Sequence, residues 1–298
     1  MRCTFSVVIT TKNRPDFLFR CVHSIYRNSV LPEEVIIIND GGDRLTDDVF
    51  NSYNIKIKTV NNKISKGANF CRNYGVSLAK TELVFFIDDD DTFTKYSFER
   101  RLEVFSSDSE IGLVYTGFNT VFSDDLNTVV SSKVPVEYSD NYTHDLLSKG
   151  NIIGSTSRVA VRVAEFNKTD GFDNQLSSMQ DYDMWIRMSQ VTKIKHDCHI
   201  GINYTIHSGT SNQVSKNYNK YLQASEYLIN KYKYLGIQNK CLREFRANLY
   251  LRVAIAGADS FGIKSLYSLM SLKESFSLKA LGLLVMPTTF LRSFKSFV

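Results

Sequence analysis

Leu83-Val84-Phe85-Phe86-Ile87-Asp88-Asp89-Asp90-Asp91 sets five apolar residues directly ahead of four consecutive aspartates. The apolar run has the length of a strand and lacks the polar alternation of a half-exposed one, so both of its faces are expected to be covered. Two similar runs precede it. Phe5–Thr11 is short and rich in β-branched residues, and Val35-Ile36-Ile37-Ile38 leads into Asn39-Asp40-Gly41-Gly42. A weaker strand is expected over 55–60. Between the strands, Pro15 opens a helical pattern with Phe17, Leu18, Cys21 and Ile25 inward, and a second helix is expected over 66–79. Proline suits a first helical turn, where its missing N–H would have no partner anyway.

Continuous apolar strands separated by amphipathic helices predict an α/β fold, a mostly parallel sheet flanked by helices. Ligands of such sheets bind at the carboxyl ends of the strands. Thr10, Thr11, Asp40 and the aspartates at 88–91 all fall at those ends, so three polar clusters from separate segments converge on one crevice. From 112 to 204 the strands become shorter and less regular, as mixed strands would, with helical patches near 140–149 and 180–189. Beyond 215 the pattern is helical, and Leu242, Phe245, Leu249, Val253 and Ala256 mark one stripe of a helix. The expected organisation is an α/β domain over 1–215, divided near 110, and a helical extension over 216–298.

Four adjacent carboxylates repel one another, and some would stay protonated unless a cation neutralised them. Extended backbone alternates its side chains, which puts Asp88 and Asp90 on one side and Asp89 and Asp91 on the other. A hard divalent cation, Mn²⁺ or Mg²⁺, bound through one or two carboxylates and phosphate oxygens fits that pattern. A helix cap would account for one aspartate but not for four.

The motifs together resemble family 2 glycosyltransferases of the GT-A fold, in particular bacterial polysaccharide and O-antigen transferases. Ser6-Val7-Val8-Ile9-Thr10-Thr11-Lys12-Asn13-Arg14-Pro15 is similar to that family's first strand and nucleotide loop. Val35-Ile36-Ile37-Ile38-Asn39-Asp40-Gly41 resembles its second strand, and Gly67-Ala68-Asn69-Phe70-Cys71-Arg72-Asn73-Tyr74-Gly75 resembles the segment before its acidic motif. Phe86-Ile87-Asp88-Asp89-Asp90-Asp91 matches the pattern that yields a DxD motif. Gly171-Phe172-Asp173 and Gln180-Asp181-Tyr182-Asp183-Met184-Trp185-Ile186-Arg187 resemble acceptor-side signatures, and the likeness runs in order over 5–210.

The resemblance implies that Thr10, Thr11, Asn13, Arg14, Asp40, Lys66, Gly67, Arg72, Asp88 and Asp89 bind a nucleotide sugar, with Asp40 toward the base and Asp88 toward the ribose. It implies that Asp90 holds the metal bridging the diphosphate, with His207 near the metal or phosphates. Asp181 would be the catalytic base, and Gln180 and Trp185 would face the acceptor. Gln180 departs from the family's usual Glu and implies altered acceptor contacts; Trp185 reads equally as core. The implied reaction is an inverting transfer from a UDP-sugar to a hydroxyl of a glycan or lipid-linked acceptor. The same residues support that chemistry: a hydroxyl needs a carboxylate to take its proton, and a leaving diphosphate needs positive charge.

Composition narrows the alternatives. The 298 residues are 43% hydrophobic and 22% charged, a globular profile. The formal charge of +5 is uneven, because residues 216–298 hold 13 Lys+Arg against 4 Asp+Glu. The remainder holds 23 basic and 27 acidic residues, so an acidic cation site and a basic tail are expected. In that tail Leu and Phe alternate with Lys264, Lys273, Lys279, Arg292 and Lys295, a pattern suited to an anionic membrane surface, to packing on the protein or to a homodimer. Five scattered cysteines without a CxxC pair read as buried reduced thiols of a cytoplasmic protein. Neither a secretory leader nor a membrane span is expected, and the acidic half offers nucleic acid no basic groove. Phe85-Phe86-Ile87-Asp88-Asp89-Asp90-Asp91-Thr92 also fits the hhhDxDxT signature of haloacid-dehalogenase-like phosphatases. That reading needs a second acidic pair on another strand, and Asp124-Asp125 sits in a turn-like stretch. A non-catalytic nucleotide- or glycan-binding protein is the third reading, encouraged by Gln180 alone.

Overall fold

The computed structural model describes residues 3–207 and 218–288. In chain order the elements are β1 (Phe5–Thr11), α1 (Pro15–Tyr26), β2 (Glu34–Asn39), β3 (Ile57–Asn61), α2 (Ala68–Leu78), β4 (Leu83–Asp88) and β5 (Thr92–Phe93). There follow α3 (Ser97–Ser107), β6 (Ile111–Phe122), β7 (Asp125–Lys133), α4 (Tyr142–Lys149), β8 (Val159–Arg162), α5 (Val163–Asn167), α6 (Gln180–Met188) and β9 (Lys193–Ile206). Helices α7 (Tyr218–Lys231), α8 (Lys233–Gln238), α9 (Leu242–Ala256), α10 (Phe261–Glu274) and α11 (Leu278–Val285) complete the described chain. Ser208, Gly209, Arg292 and Lys295 lie outside the described residues.

The chain forms two compact units. The sheet unit comprises 1–137, 153–174 and 187–207. The helical unit comprises 138–152, 175–186 and 208–298, so it draws in two segments that the sequence reading placed in the α/β domain.

In the sheet unit the strand order is β3-β2-β1-β4-β8-β6-β9-β5, with β7 paired to β6. Strands β3, β2, β1 and β4 are parallel, as their apolar runs require. Beyond β4 the sheet is mixed: β8 is antiparallel to both β4 and β6, while β9 runs parallel to β6. Every residue of β2 is buried, and β1 and β4 are buried except near their carboxyl ends. Alternation sorts these strands into two faces. Phe5, Val7 and Ile9 share a core with Leu18, Cys21, Val22 and Ile25 of α1 and with Phe85 and Ile87. Val8 meets α2, where Gly75 leaves room; a Cβ there would lie 2.4 Å from Val8 Cγ1. Helices α1 and α2 therefore cover opposite faces. Burying side chains of this size stabilises the fold by about 1.5–3 kcal/mol each, and the rings of Phe5, Phe85 and Phe98 pack against one another within this core.

In the helical unit, α9 carries the stripe expected from sequence, with Phe245, Leu249, Val253 and Ala256 buried. The sequence reading counted Lys264 among the basic residues set against Leu and Phe in an amphipathic tail. Lys264 is instead completely buried, and its Nζ donates to Met286 O. All five cysteines are free thiols; Cys21, Cys71 and Cys241 are buried, whereas Cys198 is exposed, contrary to the expected pattern. Among the described residues no helix is long and apolar enough to cross a membrane.

Candidate functional site

The aspartates at 88–91 begin where β4 ends. Asp91 N–H donates to Asp88 O, closing a turn that preserves the expected two-sided arrangement. The side chains of Asp88 and Asp90 are 33% and 19% exposed, whereas that of Asp89 is 0% exposed and Asp91 is buried. Thr10 pairs in register with Asp88 across the β1–β4 ladder, at the half-buried end of β1.

Arginines of the chain offset part of the crowded charge, and two of the four carboxyls keep their protons more tightly than a free aspartate, as the crowding predicts. Arg72, buried on α2, donates to Asp88 Oδ1 at 2.7 Å. Arg14, just ahead of α1, forms an ion pair with Asp89 and reaches Asp90 Oδ2 at 2.9 Å. Burial works against the Arg14 charge, but Asp89, Asp90 and Asp88 outweigh it and raise its pKa. Thr11 Oγ1 donates to Asp89 Oδ2 at 2.6 Å. Burial nevertheless lifts the Asp89 carboxyl to about 6, against the opposing pull of Arg14 and Thr11. Asp91 titrates well above the usual carboxylate range, first through burial and then through the charges of Asp90 and Asp88.

Asp91 contributes to the site by construction. Its Oδ1 accepts from Thr205 N–H at 2.8 Å, and Thr205 Oγ1 donates to Asp90 O at 2.6 Å. These bonds tie the end of β9 to the acidic turn and set His207 beside Asp90, with Nε2 2.9 Å from Oδ2. Phe17 packs edge-on against the imidazole, and Arg20 lies over the Phe17 ring while donating to Asp90 O. Ser157 Oγ accepts from Asp88 N–H. Sequence reading missed Arg20, Ser157, Thr205 and the role of Asp91, because none belongs to a recognisable local pattern.

A second cluster surrounds Asp40. Its carboxylate accepts from Ser65 Oγ at 2.6 Å, Lys66 N–H at 2.7 Å, Gly67 N–H at 2.9 Å and Asn62 Nδ2 at 3.2 Å. Burial alone would raise its pKa, yet the donors from Lys66, Ser65, Asn62 and Gly67 hold it far below the usual range. Asp40 thus anchors the loop carrying Lys66 and Gly67, a role the sequence did not suggest. Asn13 Oδ1 likewise accepts from Asp43 N–H at 2.7 Å, joining the loops after β1 and β2.

The Gly-Phe-Asp signature is latched to α2. Asn73 exchanges two hydrogen bonds with the Phe172 backbone at 2.7 and 2.8 Å, and Asn69 Nδ2 donates to Asp173 O at 2.7 Å. Gly171 has φ +74°, and a Cβ there would strike Asn73 Oδ1 at 2.5 Å.

Asp181 and Gln180 belong to the helical unit, half-buried in the first turn of α6. Asn151 Nδ2 donates to Asp181 Oδ2 at 3.0 Å, and Tyr182 N–H donates to Oδ1 at 2.8 Å. Both bonds suit an ionised carboxylate at a helix N-terminus. Trp185 is completely buried, which corrects its assignment to the acceptor side: an enclosed ring presents an acceptor no surface.

Asp90 and His207 are neighbours that could contribute to a divalent-cation site, the carboxylate as a ligand suited to Mn²⁺ or Mg²⁺ and the imidazole as a softer one. Among the described residues no three His, Cys, Asp or Glu side chains gather as a self-sufficient metal cage. The chain could supply one or two ligands, the remainder coming from phosphate oxygens and water, as magnesium sites commonly do. The phosphatase reading finds no support at Asp125, whose carboxylate accepts from Asn127 and Thr128 N–H within its own hairpin turn.

The chain is 28% identical to a hyaluronan synthase of Pasteurella multocida over 71% of its own length and 21% of the synthase. It is 26% identical to a chondroitin synthase of Escherichia coli over 78% of its length and 34% of that protein. The chain therefore spans a fifth to a third of these relatives. A crystal structure of S. aureus TarS 1–349 in complex with UDP-GlcNAc superposes with a TM-score of 0.58 at 15% identity, covering 98% of this chain and 91% of that one. That likeness bears on the fold. The sequence model described as Glycosyl transferase family 2 matches residues 6–161, more than half of the chain, and the chain belongs to that family.

Proposed function

We propose that this protein is an inverting glycosyltransferase that moves a hexose or N-acetylhexosamine from a UDP-sugar to a hydroxyl of a glycan acceptor in bacterial surface polysaccharide synthesis. The observation that carries the reading is the meeting of Arg72–Asp88, Arg14–Asp89 and Asp90–His207 at the carboxyl end of β4. The bound UDP-GlcNAc of TarS and the polysaccharide products named for the two synthases favour this donor class and setting.

Asp88 would meet the ribose, with Thr10 and the loop held by Asp40 completing the nucleotide pocket. Lys66 and Arg72 bring positive charge toward the diphosphate. Asp90 and His207 would hold Mn²⁺ or Mg²⁺, which when bound supplies charge neutralisation to the departing UDP. Asp181 would take the acceptor proton as the new glycosidic bond forms and the bond to the diphosphate breaks. Attack opposite the leaving group inverts the anomeric centre. Gln180, beside that base, would orient the acceptor through an uncharged amide. A lipid-linked acceptor would place this chemistry at a membrane surface on the cytoplasmic side.

A thermal-shift panel of nucleotide sugars with and without Mn²⁺ tests the reading. UDP-sugars are expected to raise the melting temperature in the presence of Mn²⁺, and Asp90→Ala to abolish the metal-dependent part. Stabilisation by GDP-sugars alone, or by none of the panel, would refute the donor assignment.

A further inference from the structure

Helix α10 is built inside out. Its packed face consists of Lys264, Ser268 and Ser271, all buried, and Ser271 Oγ donates to Ala247 O on α9 at 2.8 Å. About 200° around the helix, the stripe facing solvent reads Leu266, Leu269 and Lys273. An ordinary surface helix shows the reverse arrangement. The anomaly continues through the turn into α11. Phe261, Leu266, Leu269, Phe276, Leu278 and Val285 are each between 51% and 75% exposed. Two consecutive helices thus present large apolar side chains outward, more of them than isolated surface positions account for.

Charge points to the occupant. Lys273 and Lys279 are exposed within this apolar surface, and its one acidic residue, Glu274, is drawn toward Arg246 at 3.6 Å. The helices belong to a segment, 216–298, that carries 13 basic against 4 acidic residues. Neither helix is a membrane span. Short helices with leucine and phenylalanine outward, flanked by lysine, suit the interface of an anionic bilayer, where acyl chains receive the apolar side chains and headgroups receive the lysines. The hydrogen bond from Lys264 to Met286 O ties α10 to the residue that follows α11.

We infer that the outer face of α10 and α11 docks this protein on the surface of an anionic lipid bilayer. The inference goes beyond the donor chemistry and stands apart from it. The full-length chain is sedimented with vesicles of phosphatidylcholine alone or mixed with phosphatidylglycerol. Binding is expected to the mixed vesicles and to be weak on phosphatidylcholine. Leu266→Glu/Leu269→Glu alters only exposed positions and should keep the fold, checked by circular dichroism. That variant and Lys273→Glu/Lys279→Glu should each weaken binding at least about tenfold, while UDP release in vesicle-free solution stays unchanged. Equal binding to both vesicle types, or unaltered binding by either variant, would overturn the inference. So would a failure to bind together with a dimer, seen by light scattering, that Leu266→Glu/Leu269→Glu dissolves. Loss of UDP release in the wild-type chain would bear on the proposed function instead.

Discussion

Asp89 is the residue where burial and charge pull hardest against each other. Its carboxyl is enclosed, faces Arg14 and Thr11, and titrates near 6 because burial outweighs both partners. In an unfolded chain an aspartate titrates at about 3.9. The folded state therefore holds the proton more tightly, and its contribution to stability is complete below pH of about 4 and lost as pH rises through 6. The stability of the wild-type chain relative to Asp89→Asn should accordingly decline between pH 4 and pH 7, as read from chemical denaturation midpoints. A difference that grows over the same interval would show that the Arg14 ion pair, not burial, governs this site. Asp40 is the converse: loop donors keep it ionised, so its contribution persists down through the acid range and fades only as pH falls below the ordinary aspartate value.

At the scale of elements, the parallel half of the fold was legible because β1, β2 and β4 are uninterrupted apolar runs with turn residues at their ends. The exposed–buried order of the four aspartates came out as expected, although a turn rather than the extended backbone assumed from sequence produces it. Strands β6, β8 and β9 were harder to place, because their pairing depends on contacts across many intervening residues and β9 contains register shifts against β6. The helical unit's capture of 138–152 and 175–186 left no compositional mark either. Motif residues were legible as types but not always as roles. Asp40 reads as a ligand group in the sequence, and in the fold its carboxylate also holds backbone, as does Asn73. Helix α2 depends on one such bond pair: Asn73→Ala removes both hydrogen bonds to Phe172 and should cost about 1–3 kcal/mol. Asn73→Asp retains an acceptor for Phe172 N–H and should cost less. Urea denaturation of the two variants measures the difference, and equal midpoints would mean that the latch carries no stability.

For the whole molecule, a sheet unit bears the Asp88–Asp91 turn with Arg14, Arg72 and His207, and a helical unit bears Asp181 and the exposed apolar residues of α10 and α11. Under the proposed function, donor binding and acceptor deprotonation rest on different residues, which mutation can separate. Asp181→Asn should leave UDP-sugar binding intact while abolishing transfer, whereas Asp90→Ala should weaken both. The most direct measurement is UDP release from UDP-sugars in the presence of Mn²⁺. The account predicts release by the wild-type chain and a fall of at least about a hundredfold in Asp90→Ala. Undiminished release by Asp90→Ala, or phosphate release from simple phosphomonoesters in place of UDP release, would contradict it.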